Sequence, residues 1–467
     1  MDAIWWIRRD LRLKDNPALS AALSAAERVM PVFILDPLLF DSHRTGELRR
    51  SFLLGGIKKL AHDLESRGNR LYVFRGRPLD LLKWLVATTQ AAMIYAEEDV
   101  SPYAVRRDAE IGAQLPLKLV GLPYVRHPAA VLKSDGSPYT VFTPYSRSWK
   151  AIPLPETLPI PEKIPPAPEA PGNLLSGLSV DLASVNFIPG EAEALRRLAH
   201  FTQGAAAPIY RYHEQRNFLH LDGTSKLSPY FHFGMLSARQ AARAALAALN
   251  EAEDDSSRKG VETWLNELIW REFYGQILYH FPNVRKESFR PDLRRIEWRN
   301  DESDFEAWRE GRTGVPVVDA AMRQLAKIGW MHNRARMVVA SYLTKDLLID
   351  WRWGEGWFLQ KLLDADVASN NGGWQWTAGT GTDAAPYFRI FNPVSQGLKF
   401  DPMGDYVRRW VKELRDVPLD YIHRPWEMPL DLQKKAGCII GKNYPAPRVD
   451  HNFARERVLS AFRMAKS

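Results

Sequence analysis

Over the first third of the chain, short apolar runs alternate with longer segments of helical period. Ile4–Ile7, Val29–Asp36, Arg70–Phe74, Ala92–Ala96 and Lys118–Gly121 read as strands buried on both faces. Glu47–Ser66, Leu79–Thr88 and Ala104–Ala113 have helical length and spacing. Such alternation predicts βαβ units, and so an α/β class domain with a doubly wound, Rossmann-like parallel sheet over residues 1–130. From Pro208 onward the period is helical throughout. Gly260–His280, Val315–Ile328, Asn333–Ile349 and Gly356–Ala365 each place apolar residues at i, i+3 and i+4, predicting an all-α domain over 206–467. Between the two, Pro153, Pro155, Pro159, Pro161, Pro165, Pro166, Pro168 and Pro171 suit neither helix nor central strand. Residues 131–205 are therefore expected to be a loosely structured connector.

Composition narrows the function classes. The chain has 467 residues, 45% hydrophobic and 25% charged, with no apolar run of membrane length. The opening MDAIWWIRRDLRL lacks the pattern of a secretory signal, so a cytoplasmic protein is expected. A lone cysteine, Cys438, excludes an internal disulfide framework and a cysteine-cluster metal site. A net charge of +8 favours polyanionic partners. Of sixteen tryptophans, twelve fall between Trp264 and Trp426, more than packing alone asks of one half. The first strand is followed by Arg8-Arg9-Asp10-Leu11-Arg12, with no Gly-x-Gly-x-x-Gly, and no phosphate loop occurs elsewhere.

Four segments could carry chemistry. Glu267, Trp270 and Arg271 share a helical face, although a solvent-facing Glu–Arg pair would look the same. Asn333, Arg336 and Met337 share another, where Met337 alone would read as core filler. Asp364-Ala365-Asp366 is read as ending an apolar helix. The Asn-Asn-Gly-Gly-Trp-Gln-Trp that follows would let backbone approach a flat ligand. No histidine or third carboxylate accompanies Asp364 and Asp366, so no metal is expected. Gly223-Thr224-Ser225-Lys226-Leu227-Ser228-Pro229 suits a phosphate cradle, or a helix capped by Ser228.

Taken together, these segments resemble the photolyase/cryptochrome family, specifically its class I cyclobutane pyrimidine dimer DNA photolyases. The resemblance runs from Trp6-Ile7-Arg8-Arg9-Asp10-Leu11-Arg12 to Asp450-His451-Asn452. It is most specific at NELIWREFY, GWMHNRARM and NNGGWQWTAGTGTDAAPYFRIFNP. It implies an antenna-chromophore domain joined by a long linker to a helical domain that holds FAD, active as FADH⁻. Family positions on FAD map to Tyr212, Thr224, Ser225, Leu227, Ser228, Glu267, Arg271, Asn333, Arg336, Asp364, Asp366 and Asn370. The family pairs Arg336 with Asp364, and Asn370 would face flavin N5. The resemblance also implies light-driven splitting of a flipped-out dimer by electron transfer, a deoxyribodipyrimidine photo-lyase activity. Photolyases are among the enzymes that extrude their target from the duplex.

Glu267, Trp270, Asn333, Met337 and Trp376 map to contacts with the dimer. Lys226, Arg334 and Arg389 would meet DNA phosphates. The family's chain of oxidisable indoles maps to Trp374, Trp351 and Trp298. Asn333 and Met337, where (6-4) photolyases carry histidine in that segment, favour cyclobutane dimers. A cryptochrome-type blue-light receptor is the alternative. It is disfavoured by Asn370 and by a chain that stops soon after its last helix. Ser101-Pro102-Tyr103-Ala104 resembles the deazaflavin-type Glu-Pro-Tyr-Gly, so a second chromophore would be 8-hydroxy-5-deazaflavin or a flavin rather than methenyltetrahydrofolate. A monomer acting on damaged DNA, away from membranes and associated with the nucleoid if bacterial, is expected.

Overall fold

The computed structural model describes residues 1–166, 169–183, 185–386 and 388–466; Pro168 of the connector lies outside the described residues. Five strands, β1 (Asp2–Ile7), β2 (Arg28–Leu35), β3 (Tyr72–Arg75), β4 (Met93–Ala96) and β5 (Leu117–Leu119), form one parallel sheet in the order β3-β2-β1-β4-β5. Ile4 pairs with Met30 on one side and Ile94 on the other. β1 and β2 are buried almost throughout, as unbroken apolar runs require. Ile4, Trp6, Val32 and Ile34 pack with Leu79, Leu82 and Leu85 of the Pro78–Thr89 helix and Ile111 of the Pro102–Gly112 helix. Strand order reverses between β1 and β4, the crevice where α/β sheets take ligands. Here Arg8 pairs with Asp108 at 2.5 Å and Arg12 with Glu97 at 2.7 Å.

Packing divides the chain into two compact units. The first comprises Met1–His213, Thr224–Pro282 and Leu363–Ala368; the second comprises Glu214–Gly223, Asn283–Leu362 and Ser369–Ser467. Among the described residues, no helix is long and apolar enough to cross a membrane.

In the first unit the dominant element is the Asp255–His280 helix. It is capped by Asp254, whose side chain accepts from Ser257 N–H at 2.7 Å. Glu272 of this helix is buried and accepts from the backbone N–H groups of Val125 and Arg126, at 2.7 and 3.0 Å, and from Trp149 Nε1 at 3.2 Å. Burial pushes its carboxyl pKa up, while those donors oppose the shift. Glu272→Ala would leave three buried donors unmet, an expected loss of about 3 kcal/mol that denaturant titration can measure. Gly234 sits at φ +63°, and a Cβ there would collide with the Arg9 carbonyl, so the turn after the Ser228–His232 helix requires glycine.

The connector holds more structure than proline content suggests. Phe142–Ala151 and Glu191–Thr202 are helices, and Glu191 accepts from Leu13 and Lys14 N–H at 2.8 and 2.9 Å. These anchors come from residues distant in sequence, which local composition does not reveal.

In the second unit, Asp301 starts and Gly311 closes the Glu302–Glu310 helix. Pro316–Ile328 follows, ended by Gly329. The helix expected over Asn333–Ile349 stops at Ser341 and continues as a π-helical turn, Tyr342–Asp346. Thr344, Lys345 and Asp346 of that turn are all buried, and the turn lets them find partners: Thr344 Oγ1 donates to Ala340 O, and Lys345 Nζ to Ala378 O. The helix expected at Gly356–Ala365 spans Trp351–Lys361 instead. The carboxy-terminal helix, His451–Lys466, packs Val458 and Phe462 against Leu293, Ile296 and Leu348.

Candidate active site

The first unit brings one group of expected residues together. Glu267, Trp270 and Arg271 lie within one turn of the Asp255–His280 helix. Arg271 lies 4.8 Å over the Tyr124 ring and 5.6 Å over Phe231, and donates to Pro123 O at 2.6 Å. Phe231 belongs to the five-residue Ser228–His232 helix. Ser228 is the first residue of this helix and does not cap it; Leu227 occupies the cap position. Lys226 just before it adopts φ +50°. Ser225 Oγ accepts from Trp264 Nε1 at 3.4 Å, and Phe201 packs on both Trp264 and Tyr212. Asp366 accepts from Arg9 Nη2 at 2.8 Å, with Asp99 at 3.8 Å from the same guanidinium. His232 is held neutral, its pKa driven well down first by burial and then by Arg9 and Arg49.

Trp270 has an aromatic partner from another element. Phe142 covers one of its faces, with centroids 3.8 Å apart and planes within 3°. Phe273 and Tyr274 also pack on the indole, with centroids at 5.5 and 5.4 Å.

The second unit gathers another group. Asn333 and Met337 meet on the Asn333–Ser341 helix, Nδ2 to Sδ at 3.9 Å. Arg336 Nε donates to Met331 O at 2.9 Å. Arg334 lies 4.5 Å over Phe400 and donates twice to Asn217 Oδ1. Burial, then Arg216 and Arg389, pull its pKa down to about 10, so it remains charged at neutral pH inside a cluster of like charges. Asn370 Nδ2 donates to Glu355 O at 3.1 Å.

The Asn-Asn-Gly-Gly stretch is helical, inside Val367–Ala378. Asn371 and Gln375 explain this: both bond Val284 O, and Asn371 also reaches Glu355 Oε1 at 3.1 Å, tying down one helical face. Asp364 and Asp366 accordingly lie in the segment before this helix, not at the end of the previous one.

Trp374 and Trp351 are 2% and 0% exposed, and neither indole N–H has a hydrogen-bond partner among the described residues. Trp374 packs edge-on to Phe358 at 5.0 Å and Trp308 at 6.0 Å. A Cβ on Gly354 would collide with the Trp374 ring. Gly354 lies one turn after Trp351, so this close approach seats Trp374 on the helix that carries Trp351. Trp298 is half-buried against Phe462. Gly354→Ala is expected to lower the melting temperature, because the added methyl must displace the Trp374 ring in a closed core; a thermal melt checks this.

Residues 3–168 match the family described as DNA photolyase, and residues 264–464 match the FAD binding domain of DNA photolyase. A deoxyribodipyrimidine photo-lyase of Synechococcus sp. is 39% identical over 99% of this chain and 97% of its own length. The chain belongs to the DNA photolyase family. The crystal structure of a bacterial class III photolyase from Agrobacterium tumefaciens superposes with TM-score 0.91 at 37% identity, covering 100% of this chain and 98% of that one. A cryptochrome from Synechocystis sp. gives TM-score 0.89 at 32% identity, covering 98% and 99%.

The photolyase fold and its FAD-binding domain thus agree with the elements described above. Buried polar groups fit such a cofactor: Arg271 Nη2 and His232 Nδ1 have no protein partner. No group of three or more histidine, cysteine or acidic side chains among the described residues could hold a metal. Sequence reasoning missed Arg216, Phe142 and Gly354. Arg216 belonged to no recognisable motif, and the roles of the others arise from contacts that pattern alone does not report.

Proposed function

We propose that this photolyase-family enzyme splits cyclobutane pyrimidine dimers in DNA with light. The observation that carries the reading is the 39% identity, over 99% of this chain, to a deoxyribodipyrimidine photo-lyase of Synechococcus sp.. Arg334 remains charged with Arg216 and Arg389 as cationic neighbours, a setting that suits a phosphate backbone. FAD, when bound in its reduced form, supplies the electron that opens the dimer. Tyr212, Thr224, Ser225, Leu227, Ser228, Arg271, Arg336, Asp364, Asp366 and Asn370 would hold it.

Trp270 and Trp376 would stack on the extruded bases, and Asn333 and Met337 would contact their edges. Glu267 would hydrogen-bond a thymine and steady its negative charge as it develops. Lys226, Arg334 and Arg389 would grip phosphates. Trp374, Trp351 and Trp298 would carry electrons inward from the surface. A neutral amide at Asn370, rather than a carboxylate, avoids repelling an anionic ring. A second chromophore would be a deazaflavin or a flavin, and the protein would act as a cytoplasmic monomer.

Similarity to the Synechocystis cryptochrome supports a photoreceptor as the second reading. Glu267→Ala separates the two. Repair yield per absorbed photon is expected to fall about tenfold, the effect of about 1.4 kcal/mol on the reacting state, with dimer affinity nearly kept. A loss confined to affinity would make Glu267 a binding group only, and wild-type protein with no repair would favour the receptor.

A further inference from the structure

The three indoles of the proposed relay have different electrostatic surroundings. The Arg352 guanidinium carbon lies 4.8 Å from the Trp351 ring centroid. Its Nη1 bonds both Asp350 oxygens, at 3.1 and 2.8 Å, and its Nε donates to Lys286 O at 2.8 Å. Among the described residues, no lysine or arginine lies over the Trp374 or Trp298 ring. The middle ring alone faces a fixed cation.

A guanidinium over a neutral indole is attracted by the ring's quadrupole. Once the ring loses an electron, the same guanidinium faces a positive charge, and attraction becomes repulsion. Asp350 offsets part of this. Side-chain exposures of 34% for Arg352 and 16% for Asp350 let solvent weaken both charges. Trp351 itself is fully buried with no acceptor at Nε1, so an oxidised ring cannot settle by passing its proton to a protein base.

We infer that Arg352 makes Trp351 a transit point: it raises the oxidation potential of that ring, so that a positive charge arriving there moves on to Trp298. The inference rests on the relay reading above. One electron passes from Trp351 to oxidised Trp374, then one from Trp298 to oxidised Trp351, and neither step needs a proton. A photoexcited oxidised flavin is the initial acceptor, and an external thiol restores Trp298.

The test is time-resolved polarised absorption on FAD-loaded protein after a blue flash, with Trp298→Phe as the reference for a charge resting on Trp351. In Arg352→Gln, oxidation of Trp298 should slow by at least about threefold while oxidation of Trp351 quickens, because a nearby unit charge has been removed. Arg352→Lys should restore the wild-type rates. Asp350→Asn, which keeps a helix-capping side chain, should speed the step to Trp298. A wild-type step to Trp298 in Arg352→Gln, or a slowing that lysine does not rescue, overturns the inference. Trp351→Phe tests the relay separately: if Trp298 is still oxidised at the wild-type rate, the relay itself fails, whatever Arg352 does.

Discussion

Trp374→Phe should abolish light-driven reduction of bound flavin while repair by enzyme reduced beforehand with dithionite persists. A benzene ring is far harder to oxidise than an indole, so the first electron has no source at that position. A rate loss greater than about tenfold is expected, since about 1.4 kcal/mol of added barrier already produces one. The ring is 2% exposed and wedged between Gly354, Phe358 and Trp308, so phenylalanine also leaves a small cavity. That cavity costs about 1–2 kcal/mol of stability, which a thermal melt separates from the electron-transfer effect. Photoreduction at the wild-type rate would remove Trp374 from the relay.

Arg334→Glu should lower affinity for dimer-containing duplex by about tenfold or more, with a shallower dependence on salt. Arg334 stays charged despite burial and the neighbouring Arg216 and Arg389. A glutamate would neutralise its neighbours as well as remove a phosphate contact. The logarithmic salt slope, measured by fluorescence anisotropy between about 50 and 200 mM salt, should fall by about 1 to 2. Lost packing on Phe400 and lost bonds to Asn217 act on stability as well, so a thermal melt beside the titration separates folding from affinity. An unchanged slope would restrict Arg334 to its packing on Phe400 and its bonds to Asn217.

The parallel sheet was readable because its strands are unbroken apolar runs separated by helical periods; β1 and β2 lie within a residue or two of the predicted spans. Helices on one local period were readable for the same reason. The π-helical turn at Tyr342–Asp346 was not, since buried Lys345 finds its acceptor at Ala378, more than thirty positions away. Nor was the helical state of Asn370-Asn371-Gly372-Gly373: glycine and asparagine signal a loop, and bonds from Asn371 and Gln375 to Val284 outweigh that preference. In the site, i to i+4 spacing placed Glu267 with Arg271 and Asn333 with Met337. Spacing could not show that Phe142 lies flat on Trp270, that Arg9 grips Asp366, or that Gly354 seats Trp374, because each partner comes from another element.

The most direct test of the proposed activity is repair under controlled light. FAD-loaded, fully reduced protein would be mixed with an oligonucleotide carrying a thymine cyclobutane dimer, and absorbance near the thymine band followed under blue light and in darkness. The proposal predicts recovery of that absorbance in light alone. No recovery in light by fully reduced protein, or equal recovery in darkness, would contradict it.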